Sequence, residues 1–261
     1  MSYRCPENHS YDMAKSGYVN LLLANQKRTK NPGYNKEMIQ ARRRFFAKGY
    51  YDCIGTQLID ALQRSIPQLC RRQSVQILDV GCADGYLSDQ IYQRWPNPAQ
   101  MWGIDLSKIA IQYAAQSYPK INFAVGNAYH LPVLPNSVDL IIQILAPTNE
   151  AEYARVLKKD GFLVTITPNT EHLWAIKEQI YETPNKHQPK ALDFTHFVLQ
   201  DKAMINDRIC LEEQSDIQSI FRMTPYYWRV SQTARERVES LHRLETEIDL
   251  LVTIYQNQLA S

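Results

Sequence analysis

Asp79, Gly81, Gly85 and Asp105 are the residues whose types and spacing are best suited to hold a nucleoside-like cofactor. The first three lie in Ile77-Leu78-Asp79-Val80-Gly81-Cys82-Ala83-Asp84-Gly85. Glycines there let the backbone turn tightly and approach a ligand that a Cβ would hold off. Asp105 ends the short apolar run Met101-Trp102-Gly103-Ile104, about 20 residues past the turn, the spacing of a carboxylate that grips ribose hydroxyls. The turn lacks the third glycine of a dinucleotide fingerprint and the Lys-Ser/Thr of a triphosphate site.

Chemistry of this kind needs a strand before the turn and a helix after it, at the carboxyl edge of a parallel sheet. Val75–Val80 has the β-branched, apolar character of a buried strand. Expected strands follow near 100–105, 121–125 and 138–145, then 161–167. The run Val138-Asp139-Leu140-Ile141-Ile142-Gln143-Ile144-Leu145 is nearly all apolar and is therefore central. Expected helices fall near 35–48, 53–66 and 85–95, at 107–117 capped by Ser107, and at 149–157 and 170–181. A strand near 203–211, helices to Arg222 and over 231–241, and an alternating strand around Ile248–Tyr255 close the chain. The fold class is α/β, a Rossmann-like, mostly parallel sheet with an antiparallel closing strand.

The 261 residues fit one large domain with an appendage. The division expected is 1–34, polar and ending in Asn31-Pro32-Gly33, and 35–261, the sheet domain. Hydrophobic content of 44% and charge of 21% are those of a globular protein. No stretch approaches 18 apolar residues and no apolar leader opens the chain, so a cytoplasmic protein without a membrane partner is expected. Five cysteines without a C-x-x-C pair argue against a disulfide framework. Residues 1–50 hold ten Lys or Arg and three Asp or Glu, net +7, whereas the remaining nineteen and twenty-four give −5. Such a concentration fits either a polyanion partner or a solvated basic helix face.

The turn is similar to the D-x-G-x-G-x-G turn of S-adenosylmethionine-dependent methyltransferases, with Ala83 at the middle glycine. A wider resemblance, to the bacterial 23S rRNA (guanine-N1-)-methyltransferases, runs through nearly the whole chain. It is carried by Asp12-Met13-Ala14-Lys15, Gly17-Tyr18-Val19-Asn20-Leu21-Leu22, Lys27-Arg28 and Glu37-Met38-Ile39-Gln40-Ala41-Arg42-Arg43. Gly103-Ile104-Asp105-Leu106-Ser107, Ala146-Pro147, Thr167-Pro168 with His172, and Met223-Thr224-Pro225 with Trp228-Arg229 extend it.

The resemblance implies methyl transfer from S-adenosylmethionine to N1 of one guanine in a 23S rRNA hairpin, by a homodimer. It implies cofactor contacts at Ala83, Asp84, Tyr51 and His172, joining Asp79, Gly81, Gly85, Asp105 and Leu106 from the motif itself. By position, Asn127 and Ala128 would lie at the adenine, and Ala146 and Pro147 in the loop that meets the target base. No catalytic base is assigned. Lys27, Arg28, Arg42 and Arg43 are the expected RNA contacts. Family members carry C-x-x-C followed by C-x-x-x-H; this chain starts at Met1 where the first pair would end, and Cys5 and His9 remain. Two ligands cannot fill a tetrahedral zinc shell, so a monomer is not expected to hold zinc; a dimer pooling both pairs could. Other readings are a small-molecule methyltransferase on the same sheet and a non-catalytic RNA-binding relative. His130 reads as an exposed loop residue, Cys82 as small turn filling, and Tyr226-Tyr227-Trp228 as core packing or as base-stacking rings.

Overall fold

The computed structural model describes residues 2–4, 10–22, 36–189 and 193–258. In chain order the elements are β1 (Ser2–Arg4), β2 (Ser10–Asp12), β3 (Val19–Asn20), α1 (Lys36–Phe46), α2 (Asp52–Ser65), α3 (Pro67–Cys70) and β4 (Val75–Val80). Then come α4 (Tyr86–Arg94), β5 (Ala99–Asp105), α5 (Lys108–Ser117), β6 (Asn122–Val125), β7 (Val138–Ile144) and α6 (Glu150–Val156). The chain continues through β8 (Leu157–Pro168), α7 (Trp174–Ile180), β9 (Phe197–Leu211), α8 (Gln214–Met223), α9 (Gln232–Glu239) and β10 (Leu244–Asn257).

Eight strands form one sheet in the order β3-β6-β5-β4-β7-β8-β10-β9. The six from β3 to β8 are parallel, and β10 and β9 close the sheet antiparallel. The all-buried β7 lies at its centre beside β4, as its apolar run requires. Side-chain caps start three helices where Ser or Asn stands ready: Ser107 Oγ accepts from Ala110 N, Asn149 Oδ1 from Glu152 N, and Ser231 Oγ from Ala234 N.

Val19 and Asn20, from the expected 1–34 segment, pair with Ala124 and Val125 and add an edge strand to the sheet. Three boundaries differ from the sequence reading. Strand β8 begins at Leu157, four residues early, with its register shifted opposite Val138 and Leu140. Strand β9 begins at Phe197; Phe197 is buried but residues 198–202 are exposed on both faces, so no alternation of buried and exposed positions marks this half. Helix α7 starts only at Trp174, because Asp249 takes the polar groups before it. Asn169 Nδ2 donates to both of its carboxylate oxygens at 3.0 Å and Glu171 N donates to Oδ2 at 2.8 Å.

Strand β10 runs antiparallel to β8 with Leu250 opposite Pro168, so residues 244–249 project past the carboxyl end of β8. The facing part of β9 projects with them. Helices α8 and α9, which join these two strands, therefore stand over the carboxyl edge, and α8 packs on α1. Lys48 and Tyr50 fasten that packing by donating to buried Asp216 at 2.8 and 2.9 Å. On the other sheet face no helix joins β6 to β7, and an apolar cleft of about 360 Å³ remains over Leu78, Trp102 and Ile104. No helix among the described residues is long and apolar enough to cross a membrane.

Candidate functional site

Backbone strain marks one edge of the sheet. Among the described residues, five non-glycines have positive φ: Ala83, Asn136, Leu145, Asp160 and Leu173. Asn and Asp tolerate that region. The other three follow the carboxyl ends of β4, β7 and β8, and a residue held there against its preference is characteristic of ligand sites. Gly81 and Gly85 share the conformation, at φ +83 and +78. A Cβ on Gly81 would come within 2.6 Å of the Ala146 Cβ, so the turn after β4 and the loop after β7 touch.

Three carboxylates converge beneath this turn, all nearly inaccessible to solvent: Asp79, Asp84 and Asp105. Asp105 Oδ2 accepts from Ala83 N at 3.0 Å and Oδ1 from Ser107 N at 2.7 Å, which fixes the carboxylate plane. Burial raises its pKa, and those two N–H groups and Arg42 oppose the rise. Asp79 accepts from Ser88 Oγ at 2.5 Å, and burial pushes it up to about 7. Asp84 is taken by Arg42, whose Nε lies 2.9 Å from its Oδ1. Arg42 also lies over the Phe46 ring at 4.3 Å, and Phe46 stacks on Tyr86 of the helix that follows the turn.

The expected contacts divide into those gathered here and those held elsewhere. Tyr51 is buried, its ring 5.4 and 5.3 Å from Phe45 and Phe46, in the cluster that seats Arg42; burial raises its hydroxyl pKa. Leu106 is half-buried against the same core. Asn127 bends its own loop, its Oδ1 accepting from Tyr129 N at 2.9 Å, and Ala128 packs on the opposite sheet face. His172 follows β8; its Nδ1 accepts from Asp249 N at 3.3 Å, and burial holds its pKa down at about 3, so the ring is neutral. Nothing in the described contacts brings His172 to the turn. His130 is exposed, and burial raises the Cys82 thiol well above its ordinary range, which keeps that thiol protonated.

The loop Leu145-Ala146-Pro147-Thr148 is built from within. Buried Gln143 donates to the Ala146 carbonyl and accepts from Thr148 Oγ1 at 2.9 Å, and Tyr153 OH donates to the Pro147 carbonyl at 3.2 Å. Each carbonyl keeps a second lone pair. Sequence reasoning overlooked Gln143, although a lone amide in an otherwise apolar central strand is a legible signal. It also set Arg42 among RNA contacts, and the structure gives it another partner: its side chain is 15% exposed and paired with Asp84. Arg43 faces outward to Ser117 Oγ at 3.1 Å and lies over Tyr113. Lys27, Arg28, Cys5 and His9 lie outside the described residues. Among those that are described, no group of three or more His, Cys, Asp or Glu could hold a metal ion.

The donor set suits S-adenosylmethionine. Three buried carboxylates against one arginine favour a ligand bearing a sulfonium and an ammonium, and Asp105 is poised to accept from a ribose. The glycines keep the turn tight, since a Cβ on Gly81 would strike Ala146 and one on Gly85 would strike Phe123 and Ala114. Residues 77–161, from β4 into β8, match the family model described as "Methyltransferase domain". Residues 1–30 match a second model, "RlmA, N-terminal".

The relatives agree with both matches. A Micromonospora griseorubida protein, provisionally named a 23S rRNA (guanine-N(1)-)-methyltransferase, is 33% identical over 68% of this chain and 62% of its own. A Bacillus subtilis protein with the same provisional name is 26% identical over 95% and 89%. The 23S rRNA (guanine(748)-N(1))-methyltransferase of Streptomyces fradiae is 27% identical over 65% and 59%. The chain thus spans about three-fifths of two of these relatives.

Proposed function

We propose that this protein transfers a methyl group from S-adenosylmethionine to N1 of a guanine in a hairpin loop of 23S rRNA. The observation that carries the reading is the joint match: an N-terminal segment of the RlmA type on the same chain as the methyltransferase domain. The sheet alone would serve many substrates.

The cofactor supplies an activated methyl on a sulfonium, and positioning by this chain supplies most of the rest. Asp105 accepts the ribose hydroxyls, and the Gly81–Gly85 turn lets the backbone close on the cofactor while Asp79 and Asp84 brace it from beneath. Tyr51, Leu106, Asn127, Ala128 and His172 complete the cofactor set in this reading. The remaining lone pairs of the Ala146 and Pro147 carbonyls are the acceptors that hold guanine's N1–H and N2–H edge. The base must leave any stack to reach them. As the N1–methyl bond forms and the sulfonium–methyl bond breaks, the N1 proton passes to solvent. Residues 1–34 act as the RNA-recognition segment and 35–261 as the transferase unit, with Lys27, Arg28 and Arg43 on phosphates. A homodimer in the cytoplasm goes with this reading, and light scattering tests the assembly.

Mass-spectrometric mapping of rRNA from cells lacking the protein tests the function. One 1-methylguanosine should vanish from the large-subunit rRNA; an unchanged modification map would reject the reading.

A further inference from the structure

Three consecutive aromatics sit in the turn between α8 and α9, and the fold treats them differently. Tyr226 is anchored: its hydroxyl lies 2.8 Å from His187 Nε2, and its ring meets Tyr181 edge-on at 6.3 Å. Tyr227 is anchored too, edge-on to Phe221 at 5.3 Å, with the Arg235 guanidinium 4.5 Å over its ring. Arg235 also donates to the Tyr227 carbonyl at 2.9 Å. Trp228 is left 56% exposed, supported by the Tyr227 ring at 5.0 Å and 83°. The other tryptophans, at 95, 102 and 174, are buried or half-buried.

We propose that Trp228 is a platform on which an unpaired RNA base stacks beside the transfer site. The inference rests on the RNA reading above and names a surface of the same site. An indole on a fixed support offers a flat apolar face at little ordering cost, and unpaired bases stack on such faces regardless of sequence. The surroundings suit the rest of the nucleotide. Exposed Arg229 is adjacent, and residues 222–243 carry five Arg against two Glu, net +3. The place is right as well, since α8 and α9 stand over the carboxyl edge that carries the glycine turn and the Ala146-Pro147 loop. The packing alternative holds for Tyr226 and Tyr227 and fails for Trp228.

The test compares wild type, Trp228→Phe and Trp228→Ala on an unmodified 23S rRNA transcript and on a loop-free RNA duplex. Affinity is read by filter binding, indole emission by titration, and S-adenosylmethionine affinity by calorimetry as a check on folding. Trp228→Ala should weaken transcript binding by about five- to a hundredfold, with duplex and cofactor affinity unchanged and Trp228→Phe between. Transcript-induced quenching should be present in wild type and largely lost in Trp228→Phe. Unchanged transcript affinity in Trp228→Ala would overturn the platform, as would a change in assembly state in its place. Wild-type protein that neither binds nor methylates the transcript would overturn the RNA reading itself.

Discussion

The proposed cofactor role gives Asp105 two tasks, which changes how it must be tested. In that proposal its oxygens meet a ribose, yet they already accept from Ala83 N and Ser107 N. Asp105→Ala would orphan two buried N–H groups at roughly 1–3 kcal/mol each, so lost binding and lost stability would mix. Asp105→Asn keeps one acceptor in place. It should weaken S-adenosylmethionine binding at least about tenfold, the loss of one charge-assisted bond, while the protein still melts cooperatively. Full affinity in that variant would remove Asp105 from the site.

Arg42 works on the same group from the other side. Its charge favours the ionised forms of Asp79 and Asp105, so Arg42→Met should shift the acidic limb of cofactor binding to higher pH. Arg42→Lys should restore part of the shift, and calorimetry across pH reads both. Asp79 predicts a stability effect with a definite sign. Its folded pKa, about 7, lies above the ordinary carboxylate value of 3.8, so the fold favours the protonated acid. That contribution is complete below about pH 4 and is lost as pH rises through about 7, roughly 4 kcal/mol at most. Asp79→Asn should flatten this part of the cofactor-free Tm profile between about pH 4 and 8; an unchanged profile would assign the titration elsewhere. Asp79 and Asp105 were legible from spacing. The Arg42–Asp84 pair was not, because 42 residues separate its members and a run of three arginines reads as solvated charge.

Elements with strong periodicity or continuous apolar character lie where the sequence puts them. The central β7 and the Ser107-capped α5 are examples. Elements set by a partner were hidden: two residues make β3, and they are a strand only because β6 offers an edge. The first half of β9 is likewise placed by its partners, pairing with β10 while Ser65 donates to Asp201. The touch between the glycine turn and the Ala146 loop also depends on tertiary approach. Gly81→Ala should cost roughly 2–5 kcal/mol, combining left-handed strain with overpacking against Ala146. Gly17→Ala has the same kind of backbone, φ +91, and nothing within 4 Å; it should cost only the strain, about 1–2 kcal/mol. Urea denaturation separates the two, and equal costs would deny the close approach.

At the scale of the whole molecule, charge and shape point to one edge. The +7 of residues 1–50 does not all face a polyanion, since Arg42 is paired with Asp84 of the glycine turn and Lys48 is bound to Asp216. With Lys27, Arg28 and Arg43 changed to Ala, the log–log salt slope of RNA binding should fall by about 0.7–0.9 for each phosphate no longer neutralised. An unaltered slope would make that charge a solvated surface. The central claim is transfer to N1 of guanine, and purified protein with radiolabelled S-adenosylmethionine and an unmodified 23S rRNA transcript tests it most directly. After digestion to nucleosides, the label should run with 1-methylguanosine and be confined to one hairpin loop. Label in another nucleoside, or none in RNA beside ready transfer to small amines or phenols, would contradict the account.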